Sequence, residues 1–202
     1  MYDKVITFLK LQSVQELLEE DNLEQVYTLW RRQGGDAHLL TIFFIMKNID
    51  PLQYMTYICE GMYKGLAIRT LDLSKYNINM IGANAFEDTT ELSEINIGNV
   101  TYIGRSAFNG CVSLTNITLP PKLRSIDSEA FKYSRLSSIH IPKNVMKIDN
   151  DAFSYCNNLE NVTTDHTIEV FERVCCDLPM EDIFFNCANL DYVECSDGRL
   201  RV

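Results

Sequence analysis

A repeated pattern between residues 65 and 162 constrains this chain more than any other feature. Each copy contains a leucine or isoleucine, two alternating apolar residues, two further apolar positions and an Ala-Phe dipeptide. The phenylalanines of successive copies lie 22, 23 and 22 residues apart; they are Phe86, Phe108, Phe131 and Phe153. Self-similarity at a fixed period of this length is typical of a solenoid, in which each copy forms one coil.

The alternation inside each copy predicts a short strand. In one copy Ile95 and Ile97 are apolar, whereas Glu94 and Asn96 are polar. A strand directs alternate side chains to opposite faces, so the isoleucines point inward and the polar residues outward. We expect these strands to stack as a parallel sheet. After each strand we expect a turn, a second short extended piece and a brief helical turn at Ala-Phe.

The pattern loosens after residue 162. Thr164 takes an inward position, and we expect Ile168 and Phe171 to lie in the second extended piece of this coil. Phe184 resumes the register 31 residues after Phe153, which predicts an insertion near residues 172–182. Atypical terminal repeats usually act as caps, and insertions in repeat arrays are places where binding loops occur.

Residues 1–64 are expected to form a helical domain. Ser13 and Glu16 have the spacing of a capping box, and Gly34-Gly35 is expected to end a helix. Residues 37–47 are apolar nearly all round, which predicts a buried helix. We assign residues 1–64 to a helical N-terminal domain and residues 65–202 to a solenoid of about five to six coils. An open solenoid exposes its terminal apolar surface, so the helical domain is expected to cap the array. The alternative is that it is an effector or docking domain.

Two segments, 103–120 and 126–142, contain the run Ile-Gly/Asp-x-x-Ala-Phe, then a small residue, a leucine and Ile-x-Ile/Leu-Pro. This run resembles the BspA-like class of leucine-rich repeats, and the resemblance covers residues 65 to 198. It implies a right-handed solenoid and protein recognition. The predicted fold class is therefore α+β, an N-terminal helical cap domain followed by a leucine-rich-repeat solenoid with a parallel β-sheet face.

The charge balance limits the partners. With 18 basic and 28 acidic residues the net charge is −10, which argues against binding nucleic acid or an anionic membrane, since both require basic residues. A basic protein surface would instead be attracted. The N-terminus lacks the pattern of a secretory signal, and no apolar run approaches the ~20 residues of a membrane span. We therefore expect a cytoplasmic protein.

The sequence offers no convincing catalytic or metal-binding constellation, so we predict no enzyme activity, no cofactor and no metal site. Cys175 and Cys176 are adjacent and His166 lies nine residues earlier, which is not the ligand spacing of a zinc site. The recurring slot three residues after the repeated phenylalanines holds a small side chain, expected to be buried. It holds cysteine in three copies: Cys111, Cys156 and Cys187.

Two binding hypotheses follow. The first is a non-enzymatic module that recognises a protein partner through the outward strand positions of the sheet, since extended solenoid faces lose little entropy on binding. A homo-oligomer is possible, but the sequence does not indicate one. These outward positions are Asp72, Glu94, Asn96, Asn116, Thr118, Ser138, His140, Asn161, Thr163, Tyr192 and Glu194, with Thr70 at the start of the same series.

The second hypothesis is a small acidic inhibitor, of a kind that phages encode, that blocks a basic nucleic-acid-binding protein of the host such as a defence nuclease. It is based on the net charge and on a dense acidic stretch, which also fits an ordinary solvated helix face. The stretch consists of Glu16, Glu19, Glu20, Asp21 and Glu24. A structural subunit of a larger assembly is a third alternative.

Overall fold

The computed structural model describes residues 2–20, 22–175 and 179–202. Helices form most of its first 50 residues, and a 3-10 helix, Pro51–Tyr54, follows them. These helices are α1 (Tyr2–Leu9), α2 (Gln12–Glu19), α3 (Leu23–Arg32) and α4 (Ala37–Met46). Short strands then alternate along the coils: β1 (Tyr57–Ile58), β2 (Thr70–Asp72), β3 (Met80–Ile81), β4 (Glu94–Asn96), β5 (Tyr102–Ile103), β6 (Ser125–Ile126), β7 (Ser138–Ile141), β8 (Lys147–Ile148) and β9 (Asn161–Thr164). The chain ends with α5 (Ile168–Val174), α6 (Met180–Ile183), β10 (Tyr192–Cys195) and β11 (Gly198–Arg201).

The strands form two sheet faces along the coils. One is a five-stranded parallel sheet with the order β1-β3-β5-β6-β8. The other carries the predicted outward positions and is divided into the pair β2-β4 and the group β7-β9-β10-β11. We call this second surface the polar sheet face. The predicted parallel stacking is thus confirmed, and the second extended piece of each coil forms a sheet of its own.

A ladder of parallel aromatic rings runs through the interior. The ring centroids of Phe108 and Phe131 lie 5.3 Å apart with planes only 3° from parallel. The other neighbouring pairs in the ladder are 5.2 to 5.5 Å apart. The ladder consists of Tyr63, Phe86, Phe108, Phe131, Phe153 and Phe184. Backbone bonds follow the same path: the Phe108 amide donates to the carbonyl of Ala130 at 2.7 Å.

Phe131 lies in the middle of this ladder and is fully buried. Replacing it with alanine removes two ring contacts and leaves a cavity between stacked coils. We expect the free energy of unfolding to fall by about 3–5 kcal/mol, measured by urea denaturation. Phe185, whose side chain is half exposed, provides the matched control, and F185A should cost less than about 1 kcal/mol. Equal losses in the two variants would contradict the ladder's role.

The small slot after each ring has a hydrogen-bonding role that the sequence did not reveal. The thiol of Cys111 donates to the carbonyl oxygen of Phe86, one coil earlier, at 3.1 Å. Thr89 makes the same bond to Tyr63 at 3.0 Å, and the thiol of Cys187 bonds Phe153 at 3.1 Å. In these coils the slot holds a small side chain that donates, whereas the hydroxyl of Ser134 in the same slot lies 3.2 Å from Cys156 Sγ. Burial also raises the pKa of Cys111 to about 12, so its thiol stays protonated.

Replacing Cys111 with valine or with threonine separates the effect of side-chain volume from that of the hydrogen bond. C111V keeps the approximate volume but leaves the Phe86 carbonyl without its thiol donor, and we expect a loss of about 1–3 kcal/mol in unfolding free energy. C111T copies Thr89 and should lose clearly less. The comparison is made by urea or thermal denaturation of the two variants. If C111V proves as stable as C111T, the donor is irrelevant and only the volume matters.

The Ala-Phe dipeptides lie in tight turns rather than in the expected helical turns. Residues with positive φ precede and follow them, as Asn84 (56°) and Asp88 (55°) do around Phe86. The position that follows is glycine, aspartate or asparagine in several coils, which are the residue types that tolerate this conformation. Two coils instead have Tyr133 and Tyr155 there, each at φ 60°. The left-handed conformation costs an ordinary residue about 1–2 kcal/mol.

The helical block shares one continuous apolar core with the coils. Within the block, the ring centroids of Phe8 and Trp30 are 4.9 Å apart, and the hydroxyls of Tyr27 and Thr41 lie 2.7 Å apart in the buried interior. Tyr63 stacks on Phe86, and β1 pairs with β3, so the ladder and one sheet begin before residue 65. The division into domains at 64/65 and the capping role of the helices stay predictions.

Two expectations about the helices are wrong. The Ser13–Glu16 capping box does not form, because α2 begins at Gln12 with Leu11 in the cap position and no capping side chain. Helix α4 is not buried all round: Leu40 and Phe44 are buried, whereas Ile45 at its end is exposed. Its outer face leaves Met46 69% exposed. Gly34 (φ 73°) ends the preceding helix as expected, and Asp36 caps α4 by accepting from the His38 amide at 2.9 Å.

The end of the array also departs from expectation. Ile168 and Phe171 do not lie in an extended piece but in helix α5. Thr167 caps this helix, and Phe171 and Val174 are buried at helical spacing, a local pattern that outweighs the coil register. The final strand β11 pairs antiparallel with β10, which the sequence did not predict. The predicted insertion at 172–182 falls partly outside the described residues.

Candidate functional site

The polar sheet face presents two columns of outward side chains. Strand pairing aligns Thr70 with Glu94, and Ser138 with Asn161, in the first column. The second column aligns Asp72 with Asn96, and His140 with Thr163 and Glu194. The residues between them, such as Ile95 and Ile139, are buried. Nearly all the predicted face residues are exposed, and Thr163 is half-buried.

The face is interrupted at the coil of residues 116–119. Within the described part of the chain, no backbone hydrogen bond joins Asn116–Leu119 to β4 or β7, although Ser137 donates to the carbonyl of Thr115 at 3.0 Å. A small crevice separates this segment from Ser138–His140. The backbone polar groups along the crevice are therefore available to a bound molecule, which the uniform repeat in the sequence did not suggest.

Some predicted face residues already have partners in their own chain. Asp72 accepts from the amide and hydroxyl of Ser74 at 3.0 and 2.7 Å, and these bonds lower its pKa. The amide oxygen of Asn96 accepts from the Gly98 amide at 3.1 Å. These two side chains thus stabilise the turns after their strands. An aspartate or asparagine two residues before the bonded amide was the sequence signal for this role.

The C-terminal part of the face is internally paired as well. His140 approaches the Thr163 hydroxyl at 2.9 Å through Nδ1 and Asp165 at 3.4 Å through Nε2. Glu194 forms a 2.7 Å ion pair with Arg199. Arg199 belongs to strand β11, which was not predicted, so its pairing with Glu194 could not be anticipated from the sequence. The face residues left without a side-chain bond in the described structure are Glu94, Thr118, Ser138, Asn161 and Tyr192.

The acidic stretch of the second hypothesis does not form one uniform surface. Glu16, Glu19 and Glu20 are exposed on or next to α2, and Asp21 lies outside the described residues. Glu24 is half-buried, and its carboxylate accepts from the hydroxyl of Thr56 at 2.7 Å and from the Thr56 amide. Glu24 therefore joins α3 to the segment that leads into β1.

The structure offers little for metal chemistry. Within residues 2–20, 22–175 and 179–202, no group of three histidine, cysteine or acidic side chains could hold a metal ion. Cys175 is buried, and Cys176 lies outside the described residues. Burial raises the pKa of Cys59, as it does that of Cys111, to about 12, which disfavours a reactive thiolate. Nor is any helix in the described chain of the length and apolarity that crossing a membrane requires.

Stacked coils with two parallel sheets and a central ring ladder define a repeat protein of the solenoid class. The sequence profile of the BspA type Leucine rich repeat region matches in six copies, over residues 44–160 and 79–198. The chain therefore belongs to the BspA-type leucine-rich repeat family, as its resemblance suggested. No curated protein matches it.

Two crystal structures are similar to this chain. A leucine-rich repeat protein from Bacteroides ovatus shares 28% identity with a TM-score of 0.55, covering 69% of this chain and 34% of that one. A leucine rich cell surface protein from Faecalibacterium prausnitzii shares 26% identity with a TM-score of 0.56, covering 62% of this chain and 34% of that one. The chain thus spans about a third of the length of these relatives.

The contribution of Glu24 to the free energy of unfolding should exceed that of the neighbouring exposed acids. E24A leaves the amide and hydroxyl of Thr56 without their acceptor, and we expect the free energy of unfolding to fall by about 1–2 kcal/mol. E19A and E20A, at exposed positions, should change it by less than about 0.5 kcal/mol. Thermal and urea denaturation give the comparison. A value for E24A as small as that for E20A would mean that the bond to Thr56 contributes nothing.

Proposed function

We propose that this protein is a non-enzymatic binding module that recognises a protein partner through the polar sheet face. The observation that supports this most is the pair of aligned outward columns, which alternate with fully buried residues such as Val162 and Val193. Because the inward residues fix the strands, the outward ones are held in a rigid array. A rigid array loses little conformational entropy when it binds.

The centre of the face is the part best suited to contact. Asn116, Thr118 and Ser138 line the crevice where backbone hydrogen bonding between strands is interrupted. Glu94 lies in the same column as Asn116 in the neighbouring coil and has no ion pair in the described chain. Toward the C-terminal end, the bonds of His140 and Glu194 within the chain would compete with a partner.

The chemistry of this centre indicates the kind of partner. Amide and hydroxyl groups can both donate and accept, and Glu94 adds one unpaired negative charge. A polar partner surface with hydrogen-bonding groups and a basic side chain opposite Glu94 would be complementary. Polar interfaces with few aromatic anchors are usually of modest affinity, because hot spots are enriched in tryptophan, tyrosine and arginine.

The inhibitor hypothesis has weaker support. It rests on the net charge and on acids of which Glu24 is engaged with Thr56. Charge mimicry predicts an affinity that falls steeply as salt rises, since exposed charges are screened within about 8 Å at physiological ionic strength. A contact made mainly by amides and hydroxyls on the sheet face should depend on salt less. Partner capture at two ionic strengths therefore distinguishes the two functions.

The proposed surface is tested by matched triple variants. E94R/N116R/N161R places bulky cations on the polar sheet face at exposed positions. N79R/M146R/N150R adds the same three side chains beside the five-stranded sheet, also at exposed positions. The partner captured by the wild-type protein from its own cells is identified by mass spectrometry, and its dissociation constant is measured by calorimetry with each purified variant.

We expect the sheet-face variant to weaken binding by about 30-fold or more, the effect of losing at least one hot spot. The opposite-face variant should stay within about threefold of the wild type, as expected for residues outside the contact. Circular dichroism checks that both variants remain folded. Loss of binding in the opposite-face variant alone would assign the partner to the other sheet and refute the proposed surface.

A further inference from the structure

Three aromatic side chains line the turn edge of the last coils; Tyr133 and Phe185 are exposed, and Tyr155 is half-buried. The rings of Tyr133 and Tyr155 stack with centroids 4.7 Å apart, and Phe185 meets Tyr155 edge-on at 5.6 Å. Tyr133 is 47% exposed and Phe185 48%. Both tyrosines hold the left-handed conformation in a position that other coils fill with glycine or aspartate. Bulky rings kept exposed at a strained position point to a contact surface.

One face of the Tyr133 ring has no stacking partner in the preceding coil. Tyr155, in the following coil, covers the opposite face. The corresponding position one coil earlier is Gly110, whose amide donates to the carbonyl of Lys132 at 2.9 Å. Glycine has no side chain to place against the ring, and a Cβ at Gly110 would collide with the carboxylate of Asp88. Gly110 therefore adds no ring to the stack, and it is itself buried.

The Asp88 carboxylate lies on the other side of this glycine. Asp88 belongs to the preceding coil, and its carboxylate lies next to Gly110. The side chain is exposed and makes no hydrogen bond or ion pair with the described side chains. Its neighbour Glu87 is paired with Lys64. Lys132 Nζ lies 5.9 Å from the Tyr133 ring centroid and 5.8 Å from that of Tyr155, and it is paired with Glu129 at 3.1 Å. An exposed carboxylate and a half-exposed ring thus flank the same glycine.

We propose that Asp88, Gly110 and Tyr133 form a site for an arginine side chain of a protein partner. A guanidinium is planar and weakly hydrated, so it can stack on the Tyr133 face while its N–H groups donate to the Asp88 carboxylate. A lysine ammonium offers a compact charge with no flat face to stack. The net charge of −10 attracts basic partners over longer distances. This site lies on the turn edge and does not depend on the polar sheet face.

The test uses acetyl-arginine amide as the probe. It is titrated into the 15N-labelled protein of 202 residues and followed by NMR, with acetyl-lysine amide and acetyl-citrulline amide as comparators. Citrulline keeps the planar shape without the charge, and lysine keeps the charge without the plane. We expect saturable shifts at the amides of Asp88, Gly110 and Tyr133, with arginine bound about fivefold more tightly than either comparator, since stacking and pairing each contribute.

Two variants each remove one component of the proposed site. Y133N deletes the ring with a residue that tolerates positive φ, and D88N deletes the charge with nearly the same shape. Each should weaken arginine binding about fivefold. R135A, which removes an exposed cation from the Tyr133 coil, is the control and should bind at least as well as the wild type. The proposal is overturned if lysine binds as tightly as arginine, if D88N binds like the wild type, or if R135A abolishes binding.

Discussion

Parallel stacking of one aromatic ring per coil is the interaction on which the rest of this structure depends. The rings of Phe86, Phe108 and Phe131 repeat at 5.2 and 5.3 Å, which is close to the spacing of hydrogen-bonded strands. The backbone amides of the same phenylalanines donate to the alanine carbonyls of the next coil, so ring stacking and hydrogen bonding impose the same translation. Each coil alone buries too little apolar surface to fold, and the ladder makes neighbouring coils interdependent.

That constraint separates the positions that can vary from those that cannot. Inside the coil, even the small slot is limited, because Thr89, Cys111 and Cys187 must each donate to a carbonyl of the coil before. Outside, a side chain contacts only a few exposed neighbours, so its identity is less constrained. The differences between coils therefore accumulate outward, as the unpaired strand segment at 116–119 and the tyrosine at 133 show. Surfaces of this kind can acquire specificity without changing the core.

Local sequence patterns predicted the structure well where the same burial pattern recurs in every coil, and poorly elsewhere. The inward isoleucines, the parallel sheet and the adjacent rungs of Phe108 and Phe131 follow from the period alone, and the structure confirms them. The repeat period gave a wrong prediction at Phe171, because a capping threonine and helical spacing favoured a helix there. The prediction that α4 is buried all round was also wrong, since an apolar residue type does not reveal whether another element will cover it.

For the candidate site, the sequence determined which residues face outward, because strand alternation is a local property of the chain. It could not show which of them were free. Glu24 is hydrogen-bonded to Thr56, and Glu194 forms an ion pair with Arg199. The Asp88 carboxylate lies close to Gly110 of the next coil. These contacts join residues that are distant along the chain or lie on successive coils. Only the tertiary structure decided these pairings, because they depend on how the helices, the final hairpin and the coils are placed against one another, and the spacing of residues along the chain carries no record of that placement.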